Sequence, residues 1–111
     1  DVITSSGYRI GPTEIEDCLL KSDAVQLAAV IGVPDEQRTE LVKAFVVLAD
    51  GFEPNEILAE SLKQLVRQHL AKHEVPRLIE FVEALPLTTT GKIMRRALRD
   101  QEISSPPDTT S

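Results

Sequence analysis

The sequence predicts an α+β domain, a small antiparallel sheet of three strands plus an N-terminal β-hairpin, covered by helices. Three observations carry that prediction. Val25, Leu27, Ala29, Ile31 and Val33 fall at every second position, the pattern of a strand with one clearly apolar face. Residues 41–48 form an almost continuous apolar run, which suggests a strand buried on both faces or in a central position. Only a polar loop, residues 34–40, separates the two, so they are expected to pair antiparallel. Leu58, Leu62, Leu65, Val66 and Leu70 recur at helical spacing, with Glu60, Lys63, Gln64 and Arg67 on the opposite, solvated face.

The remaining elements follow in order. Residues 2–4 and 8–10 are short strand-like runs, and Ser5-Ser6-Gly7 supplies the turn of a tight hairpin. Gly11-Pro12 breaks it. Thr13 and Glu16 have the spacing of a capping box; alternatively Pro12 occupies the first turn of the helix. That helix is expected to reach about residue 21, with Ile15, Cys18 and Leu19 on one face. Asp50-Gly51 turns the chain, and Asn55 caps a long helix expected to run to about residue 73. Pro76 ends that region. Residues 78–82 read as the third strand, 85–91 as a loop and 93–100 as a short basic helix. From residue 104 the composition is that of a disordered tail, which leaves residues 1–103 as the domain.

A chain of 111 residues holds one domain at most. At this size about two thirds of the unfolded surface is buried, enough for a small core but not for a separate substrate chamber. Aromatics are 4% of the residues with no Trp, so the core must be aliphatic. The net charge of −6 argues against a general nucleic-acid binder, which needs a basic surface to displace counterions. Residues 92–100 nonetheless carry four cationic side chains and one Asp, a local +3 that leaves −9 elsewhere. A basic patch on an acidic body points to a local phosphate or carboxylate contact. The single cysteine excludes an intrachain disulfide, which is compatible with a reducing compartment. No apolar run approaches the roughly 18–20 residues of a transmembrane segment. The chain starts at Asp1 with no initiator Met and no signal peptide, so it is expected to be a piece of a longer protein.

Thr88-Thr89-Thr90-Gly91-Lys92 looks like the end of a phosphate-binding P-loop, but Pro86 stands where that motif needs Gly, and Ile93 where it needs Ser or Thr. The domain is therefore not expected to bind ATP alone. By composition alone Lys92 reads as a solvated lysine. The segment from Ser5 through Gly7-Tyr8-Arg9-Ile10-Gly11-Pro12 to Glu16, followed some eighty residues later by Pro86-x-Thr88-x-Thr90-Gly91-Lys92, resembles the C-terminal domain of the adenylate-forming superfamily. The resemblance runs from Asp1 to about Asp100, and its Ser-Gly-Tyr-Arg-Ile-Gly-Pro form is most similar to acetyl- and medium-chain acyl-CoA synthetases.

That resemblance implies a mobile lid working with its own, much larger N-terminal domain, which carries most of the ATP, magnesium and acyl sites. It implies two steps: a carboxylic acid and Mg-ATP give acyl-AMP and pyrophosphate, and coenzyme A then displaces AMP. A medium-chain fatty acid is the substrate expected, and the fragment alone is expected to be inactive. By the same resemblance Lys92 is the catalytic cation of the first step, a compact charge placed between acyl carboxylate and α-phosphate. Arg9 contacts a nucleotide phosphate, for which its planar fork is suited. Ser6, Gly7 and Tyr8 line the channel for the pantetheine arm, with Gly7 leaving it unobstructed; Tyr8 alternatively packs only against its hairpin. Arg38, Arg67 and Arg77 are either coenzyme A contacts or surface arginines. The mitochondrial matrix is the location the resemblance implies, with the cytoplasm as alternative, and the pivot about which the lid turns is expected just before Asp1.

Other residues read as structural. Cys18 is expected to be a small core residue. His69 and His73, four apart on one predicted helix, have no third ligand at suitable spacing, so they read as surface histidines and no metal site is expected. Arg95-Arg96 reads as a complement to the C-terminal end of a short helix. Two further functions stand beside the ligase. One is an adenylation domain that loads a carrier protein, which needs an exposed apolar patch. The other is a non-catalytic interaction module.

Overall fold

The structure, a computed structural model, describes residues 2–104. Among them, five strands form one sheet. Strand β1 (Ile3–Ser5) and strand β2 (Tyr8–Ile10) make the N-terminal hairpin, followed by helix α1 (Pro12–Leu19). The long strands β3 (Val25–Asp35) and β4 (Thr39–Leu48) come next, then helix α2 (Glu56–His69), a 3-10 turn (Lys72–Glu74), strand β5 (Leu78–Phe81) and helix α3 (Arg95–Ser104). The strand order is β2-β1-β4-β3, with β5 running parallel to β4 from the Lys43↔Leu78 pair to Val46↔Phe81.

The α+β class holds, and the hairpin is continuous with the main sheet through the Ser5↔Thr39 pair. The pairing of β3 with β4 is antiparallel, from Asp35↔Thr39 to Val25↔Leu48. The fifth strand is parallel because the intervening α2 returns the chain to the starting end of β4, as a crossover must.

Strands β3 and β4 are buried on both sides, and the sheet separates two apolar clusters. One holds Ile3, Ile10, Ile15, Cys18, Leu19, Val30, Val42, Ala44, Val46, Leu62, Val66 and Val75, under α1 and α2. The other holds Ala29, Ile31, Val33, Phe45, Val47, Leu85 and Leu98, with Ile93 packed against it, under the 85–93 segment and α3. The single-faced pattern expected of β3 is thus incomplete, since Ala28 and Val30 are buried as well. A register shift between Val25 and Leu27 also sends Val25 to the first cluster and Leu27 to the second. One extra residue in a strand reverses the side-chain alternation, which a count by twos along the sequence does not register.

Helix boundaries differ from the sequence pattern for local reasons. Helix α1 begins with Pro12 in its first turn and Gly11 as an N-cap without a side-chain bond. The capping-box alternative is overturned because Glu16 is buried and bonded elsewhere. Asn55 does cap α2, its side chain accepting from the Leu58 N–H at 2.8 Å. That helix stops at His69, so Lys72 and His73 lie on the separate 3-10 turn and are not on one helix with His69. The β3–β4 loop shrinks to residues 36–38, held by Asp35, whose Oδ2 accepts from the N–H groups of Gln37 and Arg38. Helix α3 starts two residues later than expected and continues through Ser104. Of the expected tail, residues 105–111 lie outside the described residues.

Candidate functional site

The first motif forms a two-residue turn. Ser5 pairs with Tyr8, and Ser6 and Gly7 both have positive φ, at 52° and 84°. This is the backbone sense that matches the twist of a hairpin. A Cβ added at Gly7 would meet no atom within 4 Å, so this turn presents bare backbone to open space. The Ser6 N–H donates to the Arg38 carbonyl at 3.0 Å, which fixes the turn against the β3–β4 loop.

Beside the turn lies a groove of 290 Å³ lined by Ser6, Tyr8, Arg38, Lys72, His73 and Arg77, with Val42 and Val75 at its base. Four of the six residues that the resemblance assigned to coenzyme A therefore meet there. Gly7 stands at the adjoining turn. Arg67 lies in a second groove lined also by Glu60, Lys63, Lys72, Val75 and Arg77, so Lys72, Val75 and Arg77 make the two continuous. Lys63 is set by donating to the Arg77 carbonyl at 3.2 Å. The Tyr8 ring stacks on His73, with centroids 3.9 Å apart and planes 8° from parallel. Tyr8 is thereby both a groove wall and a packing partner. Lys63, Lys72 and His73 were missed by the sequence reading. The signal that finds Lys72 and His73 is the early end of α2, which brings residues 72–74 back over the hairpin.

The second motif is a tighter hairpin, closed at its base by the Leu87↔Ile93 bridge. Thr88 and Lys92 exchange a backbone bond (Thr88 N–H to Lys92 carbonyl, 2.7 Å), the Gly91 N–H donates to the Thr88 carbonyl at 2.9 Å, and Gly91 sits at φ 86°. The Thr88 hydroxyl oxygen accepts from the Lys92 N–H at 3.0 Å and lies 3.0 Å from that of Thr90. The threonines thus shape the loop. Lys92 itself is exposed at the end of this hairpin.

The two motifs are carried on different sides of the sheet. Ile93 packs the Lys92 segment over the second cluster, while Val42 and Val75 of the first cluster underlie the hairpin groove. Alternation along β2 puts Tyr8 on the side of buried Ile10 and Arg9 on the opposite side. Arg9 therefore shares a sheet face with the Lys92 segment, and the groove residues share the other.

Three charged groups, Glu16, Arg95 and Lys43, are structural anchors. Glu16 is only 6% exposed; its carboxylate accepts from the Val30 N–H at 2.8 Å and from Arg95, whose Nη2 also lies 3.3 Å from the Thr13 hydroxyl. Arg95 opens α3, so it does not complement that helix's C-terminal end. Lys43, nearly buried, bonds Glu80 and Glu102 at 2.9 Å each and lies over the Phe45 ring. Burial opposes its charge, but the two carboxylates outweigh burial and hold its pKa above the ordinary lysine value. Cys18 is buried beside the Leu65 carbonyl, and burial pushes its thiol pKa up, which suits a core residue and not a nucleophile. Among the described residues no group of three His, Cys, Asp or Glu side chains converges as a metal site, and no helix is long and apolar enough to cross a membrane.

The domain thus presents two exposed hairpins on opposite sides of the sheet, one carrying a lysine and one bare backbone. Known proteins place it further. The AMP-binding enzyme C-terminal domain family matches residues 14–92, and the chain belongs to this family. It is 49% identical over 106 residues to the acetyl-coenzyme A synthetase of Bacillus subtilis, covering 96% of this chain and 18% of that protein. It is 53% identical over 104 residues to the human mitochondrial acyl-coenzyme A synthetase ACSM2B, covering 92% and 18%. The crystal structure of Brucella canis acyl-CoA synthetase superposes with a TM-score of 0.90 at 59% identity, over 93% of this chain and 19% of that one. The chain thus spans less than a fifth of the length of these relatives.

Proposed function

We propose that this domain is the mobile lid of an acid–CoA ligase that makes acyl-AMP with one face and acyl-CoA with the other. The observation that supports it is the separation of Lys92 and Arg9 from the Gly7 groove on opposite sides of one thin sheet. In the first step a carboxylate oxygen attacks the α-phosphorus of ATP and pyrophosphate leaves. Two anions must meet, and Lys92, a compact cation at the end of a stiff hairpin, stabilises the charge that builds between them. Arg9 holds a nucleotide phosphate through its fork. In the second step the coenzyme A sulfur attacks the acyl carbon and AMP leaves. The pantetheine arm passes the bare Gly7 turn, where no side chain obstructs the thiol. The phosphorylated end of coenzyme A follows the basic groove of Arg38, Lys72 and Arg77 toward Arg67.

A medium-chain fatty acid is the substrate proposed, on the likeness to the human relative, and with it the mitochondrial matrix as location; the Bacillus relative belongs to an organism without that compartment. ATP, its magnesium ion and the acyl chain are held by the larger domain. The clustered cations at the Gly7 groove favour coenzyme A over a carrier protein as acceptor.

The test uses the full-length enzyme and assays the half-reactions separately. Acyl-adenylate formation is followed from octanoate and ATP, and thioester formation from preformed octanoyl-AMP and coenzyme A. Lys92→Ala is expected to lose the first and keep the second, and Gly7→Leu to do the reverse. Survival of adenylation in Lys92→Ala would overturn the assignment.

A further inference from the structure

We propose that Glu16 is a positioning residue for Lys92, acting across the sheet edge through Arg95; this deepens, and rests on, the reading of Lys92 as the adenylation cation. Glu16 stands seventy-six residues before Lys92, on a helix packed against the other side of the sheet. Strand β3 is the terminal strand on its side, so its outward N–H groups have no partner strand. Helix α1 lies on the first-cluster side of that edge and α3 on the other. The Glu16 carboxylate fills the gap. One oxygen accepts the Val30 N–H and the Arg95 Nε–H, each at 2.8 Å, and the second accepts from Arg95 Nη2. Arg95 reaches around the edge in a two-pronged grip and also touches the Thr13 hydroxyl.

A carboxylate at 6% exposure is costly unless paired and hydrogen-bonded. Replacing such a clasp with apolar residues is often neutral for stability, so stability alone does not account for it. Its place in the chain does. Arg95 is three residues from Lys92, a span of at most about 10 Å of extended chain. Between them, Ile93 bridges Leu87 and the Met94 N–H donates to the Pro86 carbonyl at 2.9 Å. The returning strand of the Lys92 hairpin is therefore fixed at its base to α1 and to the edge of β3. Thr88 stiffens the hairpin within itself but gives it no direction; Glu16 supplies direction. The bidentate geometry makes this a task for Arg, since Lys cannot reproduce the fork.

The Gly7 groove is tied down separately, through Ser6 to Arg38 and through Tyr8 to His73. Loosening the clasp is therefore expected to act on one half-reaction only. In the full-length enzyme, Glu16→Gln and Arg95→Lys should each lower octanoyl-AMP formation about tenfold or more, as small misplacements of a catalytic group do. The KM for ATP should change little, and thioester formation from preformed octanoyl-AMP should stay within about twofold of wild type. The second half-reaction, run on the same preparation, reports that the lid is folded. Parallel loss of both half-reactions in Arg95→Lys, or loss of neither, overturns the proposal; Arg95→Lys decides where Glu16→Gln does not fold. Lys92→Ala is run beside them. If it too leaves adenylation intact, the reading of Lys92 has failed; if it abolishes adenylation while Arg95→Lys does not, only the clasp has.

Discussion

The Ser6-Gly7 turn and the 88–92 hairpin are both short, exposed and built around a glycine at positive φ, yet they present different things. At the first, two consecutive positive-φ residues expose main chain with nothing within 4 Å of a Cβ at Gly7. At the second, Gly91 lets the chain turn so that Thr88 can bond Lys92, and what is exposed is a charged side chain. The first should therefore be sensitive to an added side chain at Gly7, and the second to loss of the side chain it carries at Lys92. Their anchoring differs in kind as well. Both are paired along their own backbone; beyond that, the first is held by a ring stack, and the second by a buried ion pair just past its base.

The largest effect expected from breaking this contrast is at Lys92. Removing one preorganised donor from a site where charge develops typically costs about 10²–10³ in rate. Lys92→Ala should lower the rate of acyl-adenylate formation by that order, with thioester formation unchanged, as measured by pyrophosphate release and by thiol consumption.

A smaller effect is expected at the groove. A charge-assisted hydrogen bond contributes about 1.5–3 kcal/mol, so Arg38→Ala or Lys72→Ala should raise the KM for coenzyme A by about tenfold or more. Adenylation should not change. Equal effects on both half-reactions would mean that the two faces are not functionally separate.

The Ser6-Gly7 turn was legible in the sequence because a tight turn depends on residue type within one short segment. The sheet and the Asn55 cap were legible for the same reason, since period and cap are local. What was not legible depended on the chain returning to itself. His73 meets Tyr8 only because α2 stops at His69. Glu16 looked like half of a capping box because Thr13 stands three residues before it, while its partners, Val30 and Arg95, are fourteen and seventy-nine residues away. The bulge near Gln26 was hidden because one inserted residue leaves the composition of a strand unchanged while reversing its faces.

Within the second hairpin, the hydroxyl of Thr88 can be tested apart from Lys92. Thr88→Val keeps the shape and removes the acceptor for the Lys92 N–H. That N–H is exposed, so water replaces the bond, and the net cost is about 0.5–1.5 kcal/mol in the local loop. Adenylation should fall a few-fold, far less than for Lys92→Ala, with no change in the KM for coenzyme A. An effect as large as that of Lys92→Ala would make Thr88 a substrate contact and not a brace.

The smallest effect expected lies next to the first hairpin. The Glu14 carboxyl on α1 faces that of Glu74 on the 3-10 turn, and a hydrogen bond between them, reinforced by their charge repulsion, raises the Glu14 pKa above its ordinary 4.5. Glu74 also accepts the Ala71 N–H at 2.9 Å and so helps to hold the turn that carries Lys72 and His73. A folded-state pKa above the unfolded value means that folding favours the protonated acid. The stabilisation is fully present below about pH 4.5 and is lost as pH rises through the folded-state value. At neutral pH the two carboxylates therefore repel, and Glu14→Gln should melt slightly above wild type at pH 7, with the difference closing as pH falls below 4.5. Because Glu14 is fully solvated, salt should shrink the gap. A gap that persists unchanged at acid pH would instead mark an effect of the amide itself. Adenylation should be indifferent to this change, since the pair belongs to the groove face and not to the clasp at the sheet edge.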